Sequence, residues 1–479
     1  MINYNISRFG KEVPSVDLNK NRELFEHAPV SRAVLTMAIP AIIGQLIVLI
    51  YNMADTFFIG RTNDPYMVAG ASLILPAFNI TLSIASVAGV GGSALISRLF
   101  GEHEEAEARR VSGFSILFSA LLALLFSLGI LLFMKPFLHL LGADEHTFEF
   151  ARSYALCVVV AGGLPTVMTN VLANLVRSVG GSKKAGFGIT LGGVINIGLD
   201  PLFMFVLLPD GMEIVGAGIA TLLSNCISCL YFIFVIRRLG KDSVLGLSRE
   251  MPKKANILQI FTVGVPTAIT TLLFDLDYIV IDKLMSSYSD IALAAVGIVL
   301  KAERLPLNIG IGICQGMVPI VAYNFAAKNY DRMRRVSRFS LFFGIGCALV
   351  SNTLYELFAP YILRFFIADA ETVALGTSFL RIRCLATLFM FCSFYHVHLF
   401  NSYGRGQEAL FLGVTRWAVF NIPMLFLLNA LIGMYGLVWA QLISDVLTVA
   451  LSLAVHRRYI NKHLLSPSAS GDAGKKSLT

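Results

Sequence analysis

Apolar residues run along this chain in long blocks separated by short polar connections. A helix needs about 20 residues to cross a hydrocarbon layer. Twelve blocks meet that length, at roughly 33–60, 67–97, 112–134, 148–178, 184–208, 214–237, 257–284, 291–324, 337–360, 372–402, 408–430 and 435–457. Their length and continuous hydrophobicity predict membrane helices; a membrane barrel would instead show short alternating segments. The fold class expected is an all-α polytopic membrane protein. Turns such as Gly142-Ala143-Asp144 and Pro209-Asp210-Gly211 punctuate the blocks.

The connections differ in charge. The even-numbered ones hold Arg109 and Arg110, then Lys183 and Lys184, then Arg237, Arg238, Lys241, Arg249, Lys253 and Lys254, then Lys328, Arg332, Arg334, Arg335 and Arg338. The odd-numbered ones hold little beyond Arg61, Lys135 and Arg364. Basic loops stay on the cytoplasmic side of an inner membrane, so both termini are expected there. Residues 1–32 are polar, lack the apolar core of a cleavable signal peptide, and read as a cytoplasmic segment.

The longest polar connection, 238–256, divides the chain into halves of six spans, 33–237 and 257–460, followed by a cytoplasmic tail, 461–479. The halves resemble each other. Arg109-Arg110-Val111-Ser112 recurs as Arg334-Arg335-Val336-Ser337, Pro40 as Pro266, and Gly216, Ala220, Leu222 and Ser224 as Gly436, Ala440, Leu442 and Ser444. An even span count gives both repeats one orientation, related by an axis along the membrane normal. That is a transporter architecture with a site near the repeat interface.

Composition agrees: 56% of the residues are hydrophobic and only 14% charged, against about 25% charged in soluble domains. The net charge of +8 is spent in alternate loops and suggests no nucleic-acid partner. The seven cysteines fall inside apolar blocks and read as small buried hydrophobes, the Cys226/Cys229 pair included.

Charges inside the blocks carry the candidate chemistry. Asp200 lies about 24 Å along span five at 1.5 Å per residue, in the outer half. Tyr51 and Asp55 are four apart on span one, as are Asn196 and Asp200 on span five, so each pair shares a helix face. Thr221 on span six lies about 10 Å below the outer surface by the same rise. Pro201 leaves the Ile197 carbonyl without its helical donor. Oxygen ligands of this kind suit a hard monovalent cation such as Na⁺, and two close carboxylates could equally hold a proton. In the repeat Asn196 meets Asn421, but Asp200 meets Leu425, Asp55 meets Ile281 and Thr221 meets Gln441. The asymmetry argues for function in the first half. Asp275, Asp277 and Asp282 on span seven, with Lys301, Glu303 and Arg304 on span eight, are expected to pair among themselves. Glu303 and His398 form a possible secondary site, although packing is the plainer reading of His398.

Pro40 followed by IYNMADTFFIG, the NIGLDP stretch and GAGIATLLSN, in this order over two six-helix repeats, resemble the MATE multidrug and toxin extrusion transporters. The stretch VPIVAYNFAAKNYDRMRRV is similar to the branch containing DinF and MepA. The resemblance spans residues 30–460 and implies two six-helix bundles around a central cavity. It implies export of small organic compounds by antiport with Na⁺ or H⁺, without a cofactor and without enzyme activity, by a functional monomer in the inner (plasma) membrane. It places the cation site on Tyr51, Asp55, Asn196, Asp200 and Thr221, with polar residues of span four near Asn170 or Asn174. A lipid flippase of the related superfamily is the alternative, weakened by the few Lys and Arg inside the spans. A channel is a further class, which uncoupled conductance would reveal.

Overall fold

The structure, a computed structural model, describes residues 18–238, 244–248 and 250–463, with side chains over 21–238, 244–248 and 250–460. Lys241 and Arg249 of the central connection, and most of the expected N-terminal segment and C-terminal tail, lie outside the described residues. Every regular element among the described residues is a helix. Ten helices are single spans, and two bent pairs complete twelve. Spans one to three are Val30–Gly60, Pro65–Gly101 and Glu105–Leu132; span four is Phe148–Ala161 with Gly163–Ser178, bent by 45°; spans five and six are Ser182–Leu207 and Glu213–Arg238. The second half follows the same plan, with Lys254–Met285, Asp290–Ala326 and Tyr330–Phe366 as spans seven to nine. Span ten is Ala370–Cys384 with Ala386–Ser402, bent by 43°, and Gly406–Ile432 and Met434–Ile460 complete the set. The bend recurs at the same place in each half, which is what a duplicated unit should do.

Local chemistry explains several boundaries. Asp64 caps span two by accepting from the Tyr66 and Met67 amides, with Pro65 in the first turn. Ser289, Asn329 and Asp369 cap spans eight, nine and ten in the same way. Wider π-type turns interrupt spans four, five and eleven at Leu156–Ala161, Phe203–Leu207 and Thr415–Asn421. Such turns cluster at functional sites because they redirect side chains; here they adjoin Asp200 and include Asn421. On span three Leu117, Leu121, Leu124, Leu128 and Leu131 stay exposed at helical spacing, an apolar stripe suited to lipid.

The halves clasp each other through exchanged pairs. Span one packs on span five of its own half and on span eight of the other; span two packs on span seven. The second crossing has no room for side chains: a Cβ on Gly264 would sit 1.6 Å from the Val87 carbonyl oxygen, and one on Gly91 2.1 Å from that of Ile260. Gln45 donates to Gln315 at 3.2 Å across the first crossing.

The end of the molecule that bears the basic connections is sealed. Arg98 donates to Gln259 at 3.1 Å, and Glu107 accepts from the Lys253 amide at 2.6 Å and from Asn256 at 2.8 Å. The N-terminal helix Leu18–Glu26 lies against this end and touches both halves. Toward the first half, Asn21 donates to the Val179 carbonyl at 2.6 Å, Arg22 pairs with Glu105, and the Phe25 ring meets Phe100 at 6.4 Å. Toward the second, Phe25 meets Tyr323 at 5.4 Å and Glu26 accepts from the Tyr323 hydroxyl. Arg332 donates to the Phe25, Leu24 and Ala28 carbonyls at 2.5, 3.1 and 2.7 Å.

Candidate functional site

Spans one, four, five and six bring one polar cluster together in the first half. Asn196 sits one helical turn before Asp200 and donates to its Oδ1 at 3.1 Å. The same amide reaches Thr221 Oγ1 on span six at 3.4 Å. Asp200 is 0% exposed and Asn196 1%. Asp55, half-buried on span one, accepts from the Tyr154 hydroxyl at 3.2 Å. Tyr51 and Tyr154 lie within electrostatic reach of both carboxylates. Tyr51 packs on span five, where a Cβ at Gly193 would stand 3.2 Å from its ring.

The donors do not satisfy the acceptors. Asp55 Oδ1, Asn196 Oδ1 and Asp200 Oδ2 are buried without a hydrogen-bond partner among the described residues. Neither carboxylate has a Lys, Arg or His within ion-pair distance among the described residues. Burying one ionised carboxylate costs several kcal/mol even after relaxation, and unsatisfied polar atoms add about 1–3 kcal/mol each. Unpartnered oxygens beside uncompensated negative charge fit a hard monovalent cation or a bound proton. Among the described residues no three His, Cys, Asp or Glu side chains converge as a transition-metal site would require.

Five of the residues singled out in the sequence, Tyr51, Asp55, Asn196, Asp200 and Thr221, thus share one cluster. Asn170 and Asn174 face other partners: Asn170 donates to the Thr166 carbonyl at 2.9 Å, and Asn174 to the Asn170 carbonyl at 3.0 Å while accepting from Arg177 at 2.8 Å. Tyr154 was missed. Span four begins near residue 148, so Tyr154 lies about 9 Å along it, close to the depth of Thr221; the depth argument contained the signal.

The second half corrects one expectation and adds a polar cluster. Among the described residues no ion pair links spans seven and eight, although Asp275 is within electrostatic reach of Arg304. Glu303 pairs instead with Arg383 on span ten at 2.8 Å, both nearly sealed from solvent, while Asp277 accepts from Asn421 on span eleven at 2.6 Å. Arg304 lies over the Tyr278 ring at 5.0 Å. A polar cluster is also not confined to the first half. Asn421 reaches Gln441 at 3.4 Å, Gln441 donates to Asp445 at 2.7 Å, and Arg416 lies 2.7 Å from Asp445. Asp277, expected to pair with span eight, is held instead by span eleven; Asp445 was not singled out, since it does not fall opposite Asp55 or Asp200 in the repeat. His398 donates to the Phe394 carbonyl at 2.9 Å on its own helix. An apolar pocket beside this cluster is lined by Pro306, Leu307, Met390, Phe391 and Phe394.

Comparison with known proteins adds the lineage. The sequence profile of the MatE family matches residues 40–202 and again 266–427, more than half of the chain and at the displacement of the internal repeat. The chain is 28% identical over 436 residues to the multidrug export protein MepA of Staphylococcus saprophyticus, spanning 90% of this chain and 94% of that protein. MepA of Staphylococcus aureus gives 28% over 433 residues with the same coverage. The fold matches a solved structure of MATE in complex with MaL6 at a TM-score of 0.87 and 21% identity, over 93% of this chain and all of that one. An outward-facing conformation of a multidrug resistance MATE family transporter of the MOP superfamily gives 0.87 at 21%, over 93% of this chain and 99% of that one.

Proposed function

The chain belongs to the MatE family, and on that premise we propose that it is a secondary-active exporter, driving bulky organic compounds out of the cell against an inward flow of Na⁺ or H⁺. Drugs, toxins or a secondary metabolite are the substrate class, in line with the multidrug export named for its MepA relatives. The observation that carries the reading is the set of unpartnered oxygens on Asp55, Asn196 and Asp200, the two carboxylates having no basic partner among the described residues.

These residues give the coupling a physical basis. With a cation or proton at the cluster, its charge is reduced and a closed, dry environment is tolerable. Empty, two carboxylates demand water, so the cluster favours a state in which it faces an aqueous cavity. A ligand shifts a conformational equilibrium only through such a difference between states. Asn196 and Thr221 hold Asp200 in place, and the Tyr154 hydroxyl steadies Asp55. The N-lobe, residues 33–237, and the C-lobe, residues 257–460, would rock against each other by alternating access. For the cavity to reach the cytoplasm, the contacts that seal the basic end must part. On this reading the protein works in the plasma (inner) membrane as a functional monomer with both termini inside.

The reading is tested in proteoliposomes preloaded with a fluorescent cationic dye such as ethidium. A Na⁺ gradient and a H⁺ gradient are imposed separately. Dye movement uphill under one of them is expected; movement that ignores both, or that only relaxes downhill, overturns the proposal.

A further inference from the structure

The second half contains a counterpart of the candidate cation site, laid out on the same plan but supplied with its own positive charge. Asn421 falls opposite Asn196 and Gln441 opposite Thr221 in the repeat. The bonds correspond as well. Asn196 donates to a carboxylate oxygen at 3.1 Å and to Thr221 at 3.4 Å; Asn421 donates to a carboxylate oxygen at 2.6 Å and to Gln441 at 3.4 Å. By the spacing of Pro40 and Pro266, Asp277 stands where Tyr51 stands in the first half, so the counterpart draws its carboxylate from the same helix but one turn away from Asp55.

Buried oxygens without a hydrogen-bond partner occur in both clusters, with Glu303 Oε1, Asn421 Oδ1 and Asp445 Oδ1 in the second; what differs is the charge that compensates them. In the second half Arg416 lies 2.7 Å from Asp445, whose other oxygen accepts from Gln441 at 2.7 Å. Arg383 lies 2.8 Å from Glu303. Asp277 is within electrostatic reach of both guanidiniums. Arg416 is gripped from its faces too, 4.2 Å from the Trp417 ring centroid and 4.6 Å from that of Phe394, contacts that favour a cation. Asp445 is 0% exposed and Arg416 3%, so this ion pair has no water to dissolve into. Among the described residues the first-half carboxylates Asp55 and Asp200 have no such partner.

We infer that Arg416 is a tethered cation that permanently fills the role the exchangeable ion plays in the first half, so that the C-lobe cluster binds no coupling ion. Two duplicated sites have diverged into one that loads and unloads and one that is locked. The locked cluster ties span eleven to spans seven and twelve in every state and leaves the ion cycle to Asp55 and Asp200. This rests on the reading of the first-half cluster as the coupling site.

The test counts bound ions and then unlocks the second cluster. In detergent, saturable binding of ²²Na⁺, or release of protons on substrate addition, is measured for the parent and for Asp55→Asn/Asp200→Asn. The double variant is expected to lose all of it. Saturable binding that survives, and that is then lost when Asp277→Asn is added, would place an exchangeable ion in the C-lobe and overturn the inference. Binding that survives regardless of Asp277 would instead overturn the reading of the first-half site. Separately, Arg416→Ala is expected to melt at lower temperature and to regain stability with millimolar methylguanidinium but not with Na⁺. Equal rescue by Na⁺ would show a site open to simple cations and would sink the idea of a dedicated tethered charge. A variant too unstable to purify is read through Arg416→Leu/Asp445→Leu, which removes both charges together. It should fold and keep the parent's ion dependence of transport; a folded double variant without ion coupling contradicts the inference.

Discussion

Replacing Phe25 by Ala should loosen the basic end of the molecule. Phe25 is fully buried, between Phe100 of the first half and Tyr323 of the second. Removing a buried Phe side chain costs about 3–5 kcal/mol in a core. Only part of that depends on the conformational state. When the lobes part, the ring can stay with one neighbour and must leave the other, so roughly half the cost, about 1.5–2.5 kcal/mol, is specific to the sealed state. At about 1.4 kcal/mol per factor of ten, the ratio of sealed to open populations should fall roughly 10- to 70-fold. Nitroxide labels at Glu104 and Asp331, both exposed at this end, report the distance across the seal by pulsed electron resonance in nanodiscs. A longer-distance population should grow in Phe25→Ala. A distance distribution identical to the parent's, in a variant that elutes as a monodisperse folded protein, would refute the role given to the N-terminal helix.

Three other predictions follow from named contacts. Tyr154→Phe removes the hydroxyl that stabilises the ionised carboxylate of Asp55; a hydrogen bond to a charged group contributes about 1.5–3 kcal/mol, so a proton should bind at least about tenfold more tightly, whereas Na⁺, which leaves the carboxylate ionised, should gain little. Weaker binding in an ion titration would instead make Tyr154 a ligand. Glu303→Gln leaves the buried Arg383 without its charged partner, at a cost of about 3–5 kcal/mol, so the melting temperature in detergent should fall while the folded fraction still exports; an unchanged melting curve contradicts this. A cysteine at Asp210, exposed between spans five and six, should react with an impermeant thiol reagent only from outside. One at Lys328, exposed between spans eight and nine, should react only from the cytoplasm; reversed labelling inverts the topology.

The span pattern was legible because each crossing needs its own apolar length, and no tertiary contact can hide that requirement. The duplication was legible because prolines, glycines and basic turns shared by both halves keep one spacing. The candidate cation site was readable in outline for a related reason: an uncompensated carboxylate in an apolar helix is conspicuous, and helix rise converts position into depth. Tyr154 was harder to see, since an aromatic in an apolar run reads as packing until a partner on another helix is known. The C-lobe cluster was hidden by the repeat itself. Matching Asp55 with Ile281 and Asp200 with Leu425 shows no carboxylate at either counterpart position, whereas Asp277 and Asp445 reach the same Asn–amide core from other turns. Arg383 and Arg416 resemble ordinary flanking charges in sequence. Arg383 lies beside the bend of span ten and Arg416 in the π-type turn of span eleven, features that the apolar pattern does not encode.

The central claim is that a cation or proton at Asp55 and Asp200 drives export. Its most direct test is the count of coupling ions moved per ethidium molecule in proteoliposomes, measured side by side for the parent and Asp200→Asn. That substitution keeps the shape of the side chain and removes its charge. The account predicts a fixed ion-to-dye ratio in the parent and no ion movement linked to dye in Asp200→Asn, with the variant folded and still binding dye. The same ratio in both proteins would contradict it and leave Asp200 a packing residue.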